Sequence, residues 1–173
     1  MLSTGLISGC STDYPNREPL GETFPSITGQ SLEKDTISFP NHVAGKNVVL
    51  MLGYVQNSQF DIDRWLIGLD MIKIQVDVYE LPTIQGMFPR FFKTQIDNGM
   101  RKGIPKELWK GVVTIYDDGK QVQAFTGNMN PNNARIILLD KSGKIKFFYD
   151  RGFSVSAMNS LKNTLEEINT GQP

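Results

Sequence analysis

The run Asn47–Tyr54, with the sequence Asn-Val-Val-Leu-Met-Leu-Gly-Tyr, decides the fold of this chain. It is almost entirely apolar, and such a run predicts a strand that is buried on both faces at the centre of an α/β sheet. The alternating stretch Ile74–Leu81 predicts the next strand. A helix is predicted between the two strands, because four apolar residues fall on one helical face: Ile62, Trp65, Leu66 and Leu69.

Shorter elements are predicted on both sides of this unit. Upstream, Ile27–Thr28 and Thr36–Phe39 predict two short strands around the residues Gly29–Ser31. Downstream, Ala134–Asp140 and Lys144–Tyr149 predict a hairpin. The other predicted elements are a helix over Pro89–Gly99, a further turn at Pro105–Lys110, a strand at Val112–Tyr116, a turn at Asp117–Gly119 and a last helix with Ser154 as its N-cap.

Composition limits the classes of function. The chain has 173 residues, for which one domain is the expectation. Its 18 basic residues balance its 18 acidic residues, so no basic excess indicates a nucleic-acid partner, and none is predicted. Cys10 is the one cysteine and His42 the one histidine. An intramolecular disulfide and the usual zinc ligand sets are therefore excluded, and neither a metal nor a cofactor is predicted.

Four stretches carry a resemblance to a known family: Gly21–Pro25, Val48–Leu52, Thr114–Thr126 and Ile137–Ile145. In this order and spacing they resemble the redoxin branch of the thioredoxin fold, which includes bacterial thiol-disulfide lipoproteins and peroxiredoxin-like proteins. The resemblance implies a three-layer α/β fold over residues 23–170, with a central mixed sheet and an N-terminal β-hairpin extension. The C-terminal hairpin and the charged helix after the first strand are also similar, in part, to the mitochondrial ATP-synthase assembly-factor family.

The chain departs from the redoxin pattern at the positions that carry thiol chemistry. Asn57, Ser58, Gln59 and Phe60 stand where the family has Cys-x-x-Cys, and Ala134 stands where it has a cis-proline. A cis peptide bond before a residue other than proline costs about 2.5–4 kcal/mol, so the bond before Ala134 is expected to be trans. Thiol exchange requires a thiolate, which this loop lacks. The sequence therefore predicts a redox-inactive protein without catalytic residues.

The loop at Asn57–Phe60 remains a predicted binding site. It lies at the start of a helix, where free backbone N–H groups favour anions, and Asn57, Ser58 and Gln59 offer hydrogen-bonding side chains. The alternative is that Ser58 or Asn57 only caps the helix. Asp61, Asp63 and Arg64 follow in the first turns, where acidic residues complement the helix dipole and favour a structural role.

Three functions are compatible with this loop. The first is the binding of a protein partner, as an assembly or maturation factor. The second is a non-thiol enzyme or a ligand-binding protein that uses Asn57–Arg64. The third is a domain that docks on a redox enzyme. A further candidate surface combines phenylalanines with basic residues, which either bind a partner or cover the sheet: Phe88, Arg90, Phe91, Phe92 and Lys93.

The N-terminus carries a localisation signal. The run Leu6–Cys10 has the sequence Leu-Ile-Ser-Gly-Cys and resembles a lipobox, the cleavage site of bacterial lipoproteins. On this interpretation residues 1–10 are a remnant of a lipoprotein signal, Cys10 carries acyl chains such as palmitate, and residues 11–22 form a tether. The predicted location is the bacterial cell envelope, lipid-anchored and facing the periplasm.

Overall fold

The computed structural model of the chain describes residues 14–85 and 92–171. Its strands are β1 (Ile27–Ser31), β2 (Thr36–Phe39), β3 (Val48–Gly53), β4 (Asp77–Pro82), β5 (Val113–Thr114), β6 (Arg135–Leu139) and β7 (Ile145–Tyr149). Its α-helices are α1 (Gln59–Met71), α2 (Lys93–Gly103), α3 (Gly119–Thr126) and α4 (Val155–Thr170). Short 3-10 turns lie at Asn41–Val43, Gln56–Ser58 and Lys106–Gly111.

The central sheet is mixed, as predicted. Its strand order is β4-β3-β6-β7, with β3 parallel to β4 and antiparallel to β6. A second sheet has the order β2-β1-β5, and its first pair is the predicted N-terminal hairpin. Single bridges from Glu80 to Val112 and from Thr83 to Ile115 join β5 to the free edge of β4. The two sheets therefore meet at the end of β4.

The core lies on both faces of the central sheet. All six residues of β3 are buried, as its apolar sequence predicts. Leu50 and Leu52 face a cluster formed with the second sheet and α3, which includes Phe39 and Val122. Val49 and Met51, which alternate with them on the strand, face the cluster of α1 and α4, where Trp65 and Leu161 are fully buried. This arrangement gives the three layers.

Two details of the predicted elements are wrong. Gly29–Ser31 belong to β1, and the turn follows at Lys34, whose φ is 78°. Gly29 is required by packing, because a Cβ there would lie 2.6 Å from the side chain of Ile115. The prediction misses α3, because the turn signal at Asp117–Gly119 precedes a helix of eight residues.

The other boundaries differ by a few residues. The predicted strand Ile74–Leu81 is β4, at Asp77–Pro82, because a turn with Lys73 at φ 51° follows α1. The helix predicted over Pro89–Gly99 corresponds to α2, which the structure places at Lys93–Gly103. Leu66 is partly exposed, so the buried face of α1 is narrower than predicted. No helix within residues 14–85 and 92–171 has the length and apolar character that a membrane span needs.

Residues 14–22 contact the domain. The carbonyl oxygen of Tyr14 accepts a hydrogen bond from the Asn128 N–H at 2.7 Å, and the Asn16 side chain accepts one from the Met129 N–H at 2.9 Å. The Arg17 guanidinium lies over the Phe125 ring, 5.1 Å from its centroid. The tether over residues 11–22 stays a prediction. Cys10 lies outside the described residues.

Candidate functional site

Packing and hydrogen bonding within the loop define the geometry of the connection between β3 and α1. Gly53 ends β3, the chain turns at Gln56–Ser58, and α1 begins at Gln59. The Ser58 side chain is buried and its hydroxyl donates to the Val55 carbonyl oxygen at 2.6 Å. Ser58 therefore precedes the helix without capping it through its side chain. A Cβ at Gly53 would lie 2.5 Å from the Ser58 hydroxyl oxygen, so this packing requires glycine.

The four predicted binding residues do not share one environment. Asn57, Gln59 and Phe60 are exposed, whereas Ser58 is buried. The Phe60 side chain is 68% exposed, which is a large apolar surface to leave in water. Only Ser58 and Gln59 of the four line the adjoining cavity. The binding role of these residues stays a prediction.

Asp61 connects three parts of the chain. Its carboxylate accepts hydrogen bonds from the backbone N–H of Ala134 at 2.9 Å and of Phe153 at 2.7 Å. Arg64 donates to the same carboxylate at 3.1 Å. This buried group therefore holds the start of α1 against β6 and the segment before α4. We call this arrangement the Asp61 junction.

Ala134 has a physical reason to stand where the redoxin pattern has proline. Its N–H is one of the donors to Asp61, and proline has no N–H. Within the described residues the one cis peptide bond joins Phe39 to Pro40, so the bond before Ala134 is trans, as predicted. Ala134 thus makes a hydrogen bond that proline could not make.

A second buried group shapes the opposite side of the loop. Arg135 has no exposed surface, and its guanidinium donates to the carbonyl oxygens of Gly127, Asn130 and Asn133 at 2.7–3.1 Å. It lies 5.0 Å from the centroid of the Tyr54 ring, and the Tyr54 hydroxyl is 2.6 Å from the Thr126 hydroxyl. Burial raises the pKa of Tyr54, so the phenol is neutral beside the arginine.

A cavity of about 1030 Å³ lies beside this loop. Its walls come from the start of α1, the end of β4, α2 and the segment after α3. Most of the lining is apolar or carries side-chain amides. The lining residues are Tyr14, Gly53, Tyr54, Val55, Gln56, Ser58, Gln59, Ile62, Glu80, Pro82, Thr83, Ile84, Gln85, Ile96, Gly99, Met100, Gln123, Asn128, Met129 and Pro131.

Glu80 is the acidic residue of this wall. Burial raises the pKa of its carboxyl group to about 7, a hydrogen bond from Gln59 acts in the opposite direction, and the charge of Asp63 raises the pKa further. The Gln59 amide also donates to Asp63 at 2.9 Å. The cavity therefore contains an acid that changes its charge near neutral pH, and such perturbed groups in a cleft mark candidate sites.

The comparisons with known proteins find likeness in structure only. No family model matches the chain, and no curated protein matches it. The thioredoxin domain of a thiol-disulfide oxidoreductase from Bacteroides vulgatus is 23% identical with a TM-score of 0.53, and the match covers 87% of this chain and 98% of that one. The fold is thioredoxin-like.

Two structures of lower sequence identity have the same thioredoxin-like architecture. A member of the Sco family of cytochrome c oxidase assembly proteins is 10% identical with a TM-score of 0.60, and the match covers 89% of this chain and 98% of that one. An exposed lipoprotein thioredoxin from Streptococcus pneumoniae is 13% identical with a TM-score of 0.52, covering 82% and 99%. At these identities the likeness establishes the fold and not the activity.

Sequence reasoning missed Glu80 and Arg135 as parts of this candidate site. Glu80 lies in a predicted strand, on the same face as Val76 and Val78, which pack against the α1 and α4 cluster. An acidic residue on an otherwise apolar strand face was the available signal. Arg135 opens a strand that is buried throughout, and its charge in that run was the corresponding signal.

The other predicted surface residues lie away from the cavity lining. Phe92 is partly exposed, and the Lys93 ammonium group lies 4.9 Å from the centroid of the Tyr116 ring. Phe88, Arg90 and Phe91 fall outside the described residues. His42 is exposed and packs edge-on against the Phe39 and Tyr79 rings. In residues 14–85 and 92–171, no group of three His, Cys, Asp or Glu side chains is placed to hold a metal ion.

Proposed function

We propose that this chain is a redox-inactive, thioredoxin-like protein of the bacterial envelope that binds a protein partner and helps it to assemble or mature. The observation that carries the proposal is the cavity beside residues 57–60, where the redoxin pattern has its dithiol. The partner binds at the mouth of this cavity and replaces the covalent contact that a cysteine would make.

The surface around the cavity supports binding. Val55 is 42% exposed and Met129 is 58% exposed, and both line the cavity. Phe60 adds an exposed aromatic ring at the start of α1. Aromatic side chains and methionine are enriched in protein interfaces, because they bury much apolar area with little polar desolvation. We call Val55, Phe60 and Met129 the apolar rim.

Redox inactivity follows from the thiol count. The sequence has one cysteine, and Asn57 and Phe60 cannot form or exchange a disulfide. Insulin reduction and peroxide consumption by the purified chain are expected to equal the rate without protein. Turnover above that background, in a preparation free of contaminating redoxins, contradicts this part of the proposal.

The envelope location is proposed from Cys10 and its sequence context. One structure with the same fold is described as an exposed lipoprotein thioredoxin, which supports this assignment. In the native host the wild-type chain is expected to fractionate with membranes and to carry the mass of acyl chains. The Cys10→Ser variant is expected in the soluble fraction without that mass. Equal behaviour of both forms contradicts the lipid anchor.

Site-specific photo-crosslinking tests the partner-binding surface. A photoreactive phenylalanine replaces Phe60 in one version of the full chain and Met71 in the other. Met71 is the matched control because it is 76% exposed on the same helix. The two Cα atoms are about 16 Å apart along α1, given a rise of 1.5 Å per residue. We expect a defined protein adduct from position 60 in native membranes and none from position 71.

Two outcomes contradict the assignment. Equal labelling from both positions indicates non-specific contact with apolar surface. Absence of any adduct at position 60, in a strain where the chain is expressed at its natural level, indicates that the apolar rim has no partner. Replacing Val55 with aspartate in the crosslinking version must reduce the adduct, because it places a charge on the rim.

A further inference from the structure

The charge of the cavity lining is unusual. Glu80 is the one charged residue among the described residues that line it, and the lining contains no lysine, arginine or histidine. Glu80 also takes part in no ion pair within the described residues. A partly buried carboxyl group without a basic partner favours a cationic ligand, because the ligand then supplies the missing counter-charge.

The contacts of Gln59 strengthen this argument. Its amide nitrogen donates to Asp63, and its side chain also hydrogen-bonds Glu80. A neutral amide thus lies between two carboxyl groups. An amide satisfies hydrogen bonds there but does not balance the charge, so a cation at this position has a larger favourable interaction than the amide has.

Asn128 is a lining residue of the cavity and carries an acceptor without a donor. The Asn128 side-chain oxygen is buried and has no hydrogen-bond partner, while its amide nitrogen donates to Gln123 at 2.7 Å. Leaving a buried acceptor unpaired costs free energy, but this oxygen has no accessible surface through which a ligand in the cavity reaches it. The ligand class is therefore indicated by Glu80, and it is a group that carries positive charge.

We propose that the cavity binds a lysine side chain from an extended segment of the partner polypeptide, with Glu80 as the counter-ion of the ammonium group. This inference rests on the proposed function and names the ligand of the same site. Apolar walls at Ile62, Ile84 and Met100 suit the four-carbon stem of lysine.

The expected affinity of the cavity for lysine depends on pH. On α1 the groups next to Glu80 are Gln59 and Asp63. The charged and titratable residues that line the neighbouring groove together with Glu80 are Glu33, Asp35, His42, Lys46, Asp77, Tyr79, Glu107 and Lys110. Because the pKa of Glu80 is about 7, the carboxyl group is mostly protonated at pH 6 and mostly ionised at pH 8. The affinity for lysine is therefore expected to rise about tenfold over this range.

Two peptide libraries test the proposal. Both contain random heptapeptides, one with a central lysine and the other with a central Nε-acetyl-lysine, which has the same stem without the charge. At pH 8 the immobilised full chain is expected to retain the lysine library at least ten times better than the acetyl-lysine library. Glu80→Gln is expected to reduce this ratio to about one. Asp77→Asn, which changes an exposed carboxylate on the same strand, is expected to leave it unchanged.

The outcomes separate this inference from the proposed function. If the chain retains both libraries equally and Phe60→Ser weakens both, the partner-binding surface stands and the lysine site is wrong. If the chain retains neither library, the lysine site is overturned, and the crosslink from position 60 decides the partner-binding surface. Better retention of a central arginine than of a central lysine overturns the assignment of an ammonium ligand. If Glu80→Gln leaves the ratio of retention of the two libraries unchanged, the role of Glu80 is overturned.

Discussion

Two acidic residues at the same end of the central sheet have opposite surroundings. Asp61 is buried and receives two backbone N–H groups and the Arg64 guanidinium. Glu80 is partly buried, and the hydrogen bond that it receives comes from the neutral amide of Gln59. The charge of the Asp61 carboxylate is fully balanced by groups of the same chain, whereas the charge of Glu80 is balanced only in part.

This difference distinguishes a carboxylate with a structural role, Asp61, from a carboxylate that is a candidate for ligand binding, Glu80. Removing a partner from a buried charge that has a complete set of partners is strongly destabilising, and a ligand cannot improve the surroundings of such a charge. A partly compensated charge on a cavity wall lowers the stability of the free protein, and a ligand of opposite charge restores it. Stability measurements on the two residues therefore test the comparison directly.

The largest effect is expected from Asp61→Ala. It removes the acceptor of two backbone N–H groups at the Asp61 junction, and leaving such donors unpaired costs about 1–3 kcal/mol each. We expect the free energy of unfolding to fall by about 4 kcal/mol, measured by urea denaturation. Asp70→Asn, at an exposed position near the end of the same helix, is the control and should change it by less than about 0.5 kcal/mol. A similar change in the free energy of unfolding of both variants would contradict the structural role of Asp61.

A smaller loss is expected from Ala134→Pro, which introduces the residue of the redoxin pattern. The substitution deletes one donor to Asp61 and is expected to cost about 2 kcal/mol. Because both changes break the same hydrogen bond, the double variant with Asp61→Ala should lose less than the sum of the single losses. Ala134→Gly keeps the N–H and is the control for the change of side chain. Additive losses in the double variant contradict the coupling.

Glu80→Gln is expected to increase the free energy of unfolding, whereas the two preceding variants decrease it. The folded-state pKa of about 7 exceeds the ordinary value of 4.5, so the folded state binds more protons between these values. The free energy of unfolding of the parent therefore falls as pH rises from about 4.5 to 7 and is level above 7. Glutamine does not ionise, so the variant lacks this loss.

The size of this effect follows from the pKa shift. The full shift corresponds to about 3 kcal/mol, and the remaining contact of Glu80 with water reduces it to about 2 kcal/mol. The stability of Glu80→Gln relative to the parent should rise by that amount between pH 4.5 and pH 8, as measured by urea denaturation at each pH. Asp63→Asn tests the neighbouring charge and should give a smaller rise. A difference between variant and parent that does not change with pH contradicts the raised pKa.

The sequence was sufficient to predict the architecture. The apolar run of β3, the hairpin of β6 and β7 and the Ser154 cap each follow local rules, and the structure confirms them. It also confirms three of the four residues predicted for the buried face of α1: Ile62, Trp65 and Leu69. The Ser154 hydroxyl accepts from the Ala157 N–H at 3.1 Å, as an N-cap should. Elements set by local periodicity and capping are therefore predictable from the chain alone.

The candidate site was less predictable, because its features depend on contacts between distant residues. Asp61 meets Ala134 and Phe153 across 73 and 92 positions of the sequence. The pKa of Glu80 depends on burial, which no local pattern specifies. The helix α3 was missed because its sequence begins with a turn signal and its first residue is glycine. In each case tertiary packing decided the outcome.

The smallest effect on stability is expected from a dithiol placed in the loop. Asn57→Cys with Phe60→Cys, in a Cys10→Ser background, puts two thiols three residues apart across the start of α1. Their Cα atoms should lie about 5–6 Å apart, within the range that a disulfide tolerates. Both positions are exposed and neither belongs to the Asp61 junction, so the free energy of unfolding should change by less than about 1 kcal/mol. Thiol titration after mild oxidation should find no free thiol in the double variant and one in the single Asn57→Cys variant. Two free thiols in a folded double variant would mean that this loop does not correspond to the dithiol position of the redoxin pattern, and the cavity beside it would then need a different comparison.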